Sequence, residues 1–371
     1  MTNPQAAPRK DVVGRDRAQR LAWVVGVLGV IGAIVGWITE PISFPHAWLA
    51  ALTAWLGWPL GCLGLLLTHA LTGGRWGYAL RPQLVAGTST IWLWVPAAIP
   101  WLLALSSLYP WARAGASAGL ASAFYLNRPF FYGRVIFYAV VWIGLSALVS
   151  RALRRRDPDA ALARIAPAGL ILLAITITFS SIDLTMSLDP RFDSSVYGLI
   201  ALSEMGLFAL AVAVFAATLG APPDSDTLGA LGKLLLGLAL LWAYLDFMQF
   251  LIVWQSNLSP EAPWYLVRTS GIWGMSAMLI SSGHFALPFC LLIWPRVRRS
   301  RVGIAVVTAL LGLSAIGRAW WTVVPASHAG FAFVDAAAMV CLIGIGAAFS
   351  LRGPPGPPDF ATSMSTGAQH G

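Results

Sequence analysis

The chain has 371 residues, 58% of them hydrophobic and only 11% charged, and carries a formal net charge of +9. A soluble domain of ordinary composition has about 25% charged residues, so this composition excludes one and makes the bilayer the solvent of most of the chain. Nor does the basic excess signal nucleic acid. The arginines stand in short loops between apolar runs, which is the pattern of a membrane protein with one basic face.

The first twenty residues, MTNPQAAPRKDVVGRDRAQR, are polar and basic, and no small-residue cleavage signature follows them. The run after them therefore reads as an uncleaved first span and not as a signal peptide. Further apolar runs recur near 47 to 71, 84 to 108, 130 to 150, 165 to 188, 194 to 219, 228 to 255, 265 to 294, 302 to 324 and 329 to 350, making about ten spans with the first at 21 to 39. Lipid satisfies no open backbone groups, and the runs are too long for barrel strands, so they must be helices. The segment 351–371 is rich in Pro, Gly and Ser and is expected to be disordered. The expected organisation is a basic segment at 1–20, a polytopic domain at 21–350 and this tail.

With ten spans, the even-to-odd loops and both ends of the helical region share one side. That side collects Arg75, Arg81, Arg151, Arg154, Arg155, Arg156, Arg296, Arg298, Arg299 and Arg301, against Arg113, Arg128, Arg191 and Arg268 on the other. The positive-inside rule makes the richer side cytoplasmic and leaves both ends there. Cys62, Cys290 and Cys341 stand singly inside apolar runs, so no iron–sulfur binding run or disulfide framework is expected.

A weak repeat is also visible. Trp92, Trp94, Pro110 and Trp111 are followed by Tyr125-Leu126-Asn127-Arg128 and then RALRRR at 151–156; Trp242, Pro263 and Trp264 are followed by Tyr265-Leu266-Val267-Arg268 and then PRVRRSR at 295–301. The offset covers four spans, so the copies share one orientation, as in two fused four-helix bundles with halves near 47–188 and 194–324. Spans 1 and 10 lie outside them.

The stretches YLNRPFF (125–131), FSSIDLTMSLDPRFDSSVYGLI (179–200), LLWAYLDFMQFLIVWQSNLSPEAPWYLVR (240–268) and SSGHFALPFCLLIWPRVRR (281–299) resemble a known family over most of the chain and in order. The resemblance is to the second large membrane subunit of alternative complex III, a bacterial respiratory quinol:cytochrome c oxidoreductase, and through it to the NrfD-like membrane proteins. It implies an all-α fold of two four-helix bundles plus peripheral helices in the inner membrane. It also implies a sister NrfD-like subunit and periplasmic iron–sulfur and cytochrome c subunits as partners, with quinone or quinol as the small molecule. No haem, iron–sulfur cluster or metal is expected in this chain.

Ionisable groups inside a bilayer cost about 3 kcal/mol each on insertion scales and invite an explanation. Counting at about 1.5 Å per residue places Arg134, Asp183, Arg318 and Asp335 within roughly 10 Å of the outer boundary, and Glu204 and Asp246 near 15 Å. Quinol oxidation releases protons that must leave outward, so Asp183, Glu204, Asp246 and His284 are candidates for a proton relay or quinol contacts. Each acid has a plainer reading as a helix cap or an arginine partner. Trp242, Tyr244 and Trp254 are candidates for a quinone groove, although aromatic residues at helical spacing are more often core. If spans 9 and 10 form an antiparallel hairpin, Arg318 and Asp335 fall at equal depth and make a structural ion pair. The turns DPRFDSS (189–195) and NLSPEAPWYL (257–266) read as ordinary turn chemistry or as a docking surface for periplasmic subunits. His69 and His284 are the one pair of histidines inside the spans, too few for a two-haem arrangement. Two other functional classes fit the same chain. One is a structural anchor whose charges are all paired; the other is a secondary transporter, for which Pro96 and Pro100 in span 3 mark the best candidate break.

Overall fold

Long apolar runs in lipid can satisfy their backbone only as helices, and every expected run is helical, some of them in more than one piece. The computed structural model describes residues 8–113, 123–220, 222–255, 261–327 and 330–352. Among these residues there is no strand, and ten helical spans are long and apolar enough to cross a bilayer. Span 1 is Gly14–Thr39, span 2 Phe44–Thr72, span 3 Arg75–Leu103, span 4 Arg128–Ala152 and span 5 Pro158–Leu188. Span 6 is Tyr197–Leu219, span 7 Ser225–Gln255, span 8 Gly271–Ile293, span 9 Arg301–Ser327 and span 10 Phe333–Ser350. The molecule is an all-α, multi-pass membrane protein.

Polar residues in the loops set several helix starts by accepting orphan amides of the first turn. Asn127 takes the Phe130 amide at 3.0 Å, Asp157 the Ala160 amide at 3.1 Å, and Ser300 the Gly303 amide at 3.3 Å. Ahead of span 7, Asp224 accepts from the Thr227 amide at 2.9 Å and the Thr227 hydroxyl at 2.8 Å. Those bonds hold its carboxyl below the usual carboxylate range. The first helix begins at Pro8, so part of the polar segment expected at 1–20 is its opening turns.

Spans 2 to 5 pack on one another, as do spans 6 to 9, and the two groups join where span 2 lies against spans 6 and 9. Span 2 is the axis of the molecule and the most buried of the ten. Span 1 pairs with span 10 so closely that a Cβ on Gly26 or Gly29 would collide with span 10 backbone around Ile345 and Cys341. Such approach is what small residues permit where lipid supplies no hydrophobic drive between helices.

Loop charges gather on one end of the bundle. Arg75 bonds Asp224 at 2.9 Å, Arg81 and Tyr78 both bond Asp159, and Arg299 faces Asp226 at 3.8 Å. Arg15 donates to the Leu351 carbonyl at 2.9 Å and brings the ends of spans 1 and 10 to the same end.

Three expectations about the helices are corrected. Span 3 begins at Arg75, earlier than expected, because its polar first turns are held by Asp159 on span 5; it then breaks at Ser89–Thr90, ahead of Pro96. The run 265–294 divides into a short helix, Ala262–Thr269, and span 8. Ser270 is extended and Gly271 has φ +54, a left-handed conformation open to glycine. Finally, spans 9 and 10 do not form a hairpin. Span 10 packs on spans 1 and 2, while span 9 packs on spans 6, 2 and 8. Span 8 also contains a π-helical turn, Ser282–Ala286. The tail from 353 onward, residues 257–260 of the NLSPEAPWYL turn and His328 lie outside the described residues.

Candidate functional site

Helical spacing places a polar face on each of three neighbouring spans. Tyr197, Glu204 and Phe208 follow one face of span 6; Trp242, Asp246 and Gln249 one face of span 7; Ala315, Arg318, Ala319 and Thr322 one face of span 9. Where these faces converge, the Arg318 guanidinium reaches two carboxylates. Its Nε donates to Glu204 Oε2 at 3.4 Å, and its Nη2 donates to Asp246 Oδ1. Ala315 and Ala319 leave room for it on its own helix, and it lies over the Trp242 ring at 4.9 Å.

The three charged side chains line a cavity of about 80 Å³, room for several waters at the usual requirement of about 10–15 Å³ each. Ala54 and Gly57 of span 2 form its far wall, and Ser181 and Thr185 of span 5 add hydroxyls. Tyr197 donates to the Thr185 hydroxyl at 2.9 Å, and Ser194 donates to Gln249 at 2.7 Å. The outer wall is aromatic. Phe192 stacks on Trp264 with centroids 4.6 Å apart, and Tyr265 packs edge-on against both. Burial, reinforced by Asp246, pushes the Tyr265 phenol well above its ordinary range, so it is a hydrogen-bond donor at any physiological pH.

Arg268 holds that wall in place. It donates from Nη1 to the Trp264 carbonyl at 3.0 Å and from Nε and Nη2 to the Thr322 carbonyl at 3.2 and 2.7 Å, with its guanidinium 3.9 Å from the Trp264 ring. Burial pulls its own pKa down to about 10. The bond set ties the short helix Ala262–Thr269 to span 9, and the Trp321 indole returns a bond to the Arg268 carbonyl at 3.0 Å.

Of the expected relay, Glu204 and Asp246 meet in this cavity, and His284 and Asp183 do not line it. His284 is fully buried on the π-helical turn, edge-on to Trp242 with centroids 4.3 Å apart. Neither ring nitrogen has a partner at full hydrogen-bond geometry among the described residues, the backbone of Leu311 offering a weaker contact. Asp183 belongs to a separate cluster in the other bundle. Arg134 donates to it from Nε at 2.9 Å and from Nη2 at 2.7 Å, and Tyr138 adds its hydroxyl at 2.7 Å. The third edge of Arg134 goes to the Tyr125 carbonyl at 2.9 Å, beneath the Tyr125 ring at 3.7 Å. His69 sits on span 2 between Trp76 and Tyr78 and bonds the Gly74 carbonyl at 3.0 Å, away from His284.

No family model matches the chain, and no curated protein does.

Two expected groupings are corrected. Arg318 does not pair with Asp335. With span 10 carried away to span 1, Asp335 turns back to accept the Ala332 amide at 2.9 Å and caps its own helix, while Glu40 takes the Val334 amide at 3.0 Å. Tyr244 and Trp254 do not line the cavity either: they are 61% and 67% exposed on span 7, Tyr244 because two residues along a helix is more than half a turn from Trp242, and Trp254 because twelve residues bring it about a third of a turn away from that face. Trp242 is buried against Arg318 and His284. The aromatic wall instead comes from Phe192, Tyr197, Trp264 and Tyr265. The first and last two lie in the outer turns read as ordinary turn chemistry or docking surface, so the signal was turn aromatics at a membrane boundary, which belt residues also give.

Proposed function

We propose that this chain is a membrane subunit of a respiratory quinol:cytochrome c oxidoreductase of the alternative complex III type, without redox centres of its own. In this reading the cavity between spans 2, 5, 6, 7 and 9 receives a quinol head group or the protons it releases. The observation that carries it is the shared guanidinium. Two carboxylates on one arginine hold one negative charge when both are ionised, and one added proton makes the cluster neutral. A group that alternates between these states beside a polar cavity is what outward proton transfer requires.

The walls suit a quinol. Its hydroxyls need acceptors, which Asp246 and Glu204 supply, and its ring needs apolar faces, which Trp264, Phe192 and Phe208 supply. A ring in the cavity has to displace water and press back Met205, an adaptable side chain on the wall. Oxidation of the quinol to quinone releases two electrons and two protons. The electrons pass to iron–sulfur and cytochrome c partners, and the protons go to the carboxylates. The basic end of the bundle is cytoplasmic in this reading and the cavity lies toward the periplasm.

The test uses the assembled complex. Glu204→Gln and Asp246→Asn should each slow quinol-dependent cytochrome c reduction by at least about tenfold, the low end for loss of a proton-transfer group, with subunit content unchanged. Unchanged turnover in both, or no quinone co-extracting with the purified protein, would leave an anchor without a site of its own.

A further inference from the structure

A second concavity lies at the opposite end of the bundle, on the lipid-facing seam between spans 6 and 9. It encloses about 290 Å³ and is lined by Phe215, Thr218 and Leu219 from the last turns of span 6 and by Arg301, Val302, Val306 and Ala309 from span 9. From Arg301 to Ala309 the groove descends about 12 Å along the helix at 1.5 Å per residue. Its walls are apolar and open: Leu219, Val302 and Val306 are 68%, 71% and 56% exposed. At its top stands one charge.

Arg301 is oriented there. Its Nε donates to the Thr218 carbonyl at 2.8 Å, one of the carbonyls that the end of span 6 leaves without a helical partner. That bond fixes the plane of the guanidinium and leaves its Nη edge free. Among the described residues neither Arg301 nor Arg296 has a carboxylate partner, whereas Arg299 faces Asp226 and Arg298 bonds the carbonyls of Leu292 and Ile293. The loop that ends in Arg301 thus presents unanswered positive charge at the head of an open apolar groove.

We propose that this seam binds an anionic phospholipid, its phosphate on Arg301 and one acyl chain lying along Val302, Val306, Phe215 and Leu219. A free phosphate would use the arginine and ignore the channel; a zwitterionic lipid would use the channel and lose the net charge. The proposal is independent of the quinol reading, since no residue of the seam lines the other cavity.

Native mass spectrometry of the full chain in detergent tests it, with dioleoylphosphatidylglycerol, dioleoylphosphatidylcholine and inorganic phosphate as the probes. Phosphatidylglycerol should bind about fivefold more tightly than phosphatidylcholine, the preference one surface arginine gives. Arg301→Gln should abolish that preference, Arg301→Lys should keep most of it, and Val306→Trp, at a lipid-facing position that leaves the core untouched, should weaken both lipids by filling the channel. Equal binding of the two lipids, an unchanged preference in Arg301→Gln, or displacement of bound lipid by millimolar phosphate would overturn the proposal.

Discussion

The two bundles each bury an arginine at similar depth and treat it in opposite ways. Arg134 meets one carboxylate through Nε and Nη2 together; its Nη1 goes to the Tyr125 carbonyl, Tyr138 donates to the same carboxylate, and Asp183 is fully buried. Nothing is left to accept a proton without breaking a bond. Arg318 is divided between two carboxylates from different helices, and both acids keep a side toward a cavity, with 23% and 35% of their side chains exposed. A closed pair fixes helices 4 and 5 in register. An open, over-supplied cluster holds helices 6, 7 and 9 together and still has capacity for chemistry. Charge inside a membrane is therefore no guide to function until its partners are counted.

The comparison can be broken most severely at its closed end. Arg134→Met leaves Asp183 buried without its cation and should cost about 3–5 kcal/mol, read as a large fall in thermal stability in detergent; a double variant with Asp183→Leu should regain much of it. An undiminished midpoint for Arg134→Met would show that the pair fixes nothing. Next comes the aromatic wall of the open cluster. Arg268→Lys loses the planar fork on the Thr322 carbonyl and should cost about 2 kcal/mol, within the range for bonds to charged groups; heating curves of the purified variant measure it. Asp335→Ala removes only a helix cap and should cost about 1 kcal/mol. Its turnover should equal that of the parent protein; a deficit like that of Asp246→Asn would restore Asp335 to the arginine's circle. The smallest stability effect belongs to Glu204→Gln, within about 1 kcal/mol because Asp246 keeps the guanidinium paired. A loss as large as that of Arg134→Met would make the open cluster a structural one.

Much of this was legible in advance. Hydrophobic runs placed all ten spans and both ends of six of them to within four residues, because a bilayer demands uninterrupted apolar length and leaves the chain few alternatives; the starts of spans 1, 3, 5 and 8 lie six to nine residues from where the runs put them. Depth counting put Arg134 level with Asp183 and brought Glu204, Asp246 and Arg318 within a turn or so of one another. What it lacked was azimuth. Depth says nothing about which way a helix faces or which helices are neighbours, so Arg318 was matched with Asp335 on the next span in sequence, when its partners come from spans 6 and 7. The same gap sent Tyr244 and Trp254 toward the cavity when they face outward. The break in span 3 was anticipated near Pro96 and Pro100, yet it falls at Ser89–Thr90, where the hydroxyls of both residues bond carbonyls one turn back, at 2.7 and 2.8 Å. Side-chain competition for backbone bonds loosens a helix as well as a proline does.

The π-helical turn Ser282–Ala286 has a consequence for how span 8 bears loss of length. A π turn accommodates one residue more than an α turn, so the helix on either side keeps its facing and the surplus is absorbed within the turn. Removing Phe285 should let the turn relax to α geometry with Ile280 and Leu292 still directed as before, and swing His284 off the Trp242 ring. Removing Leu279 from the ordinary helix just above would rotate everything beyond it by about 100°. Span 8 thus has one position at which a codon can be dropped to detach a buried imidazole from its setting while the scaffold around it stays in phase.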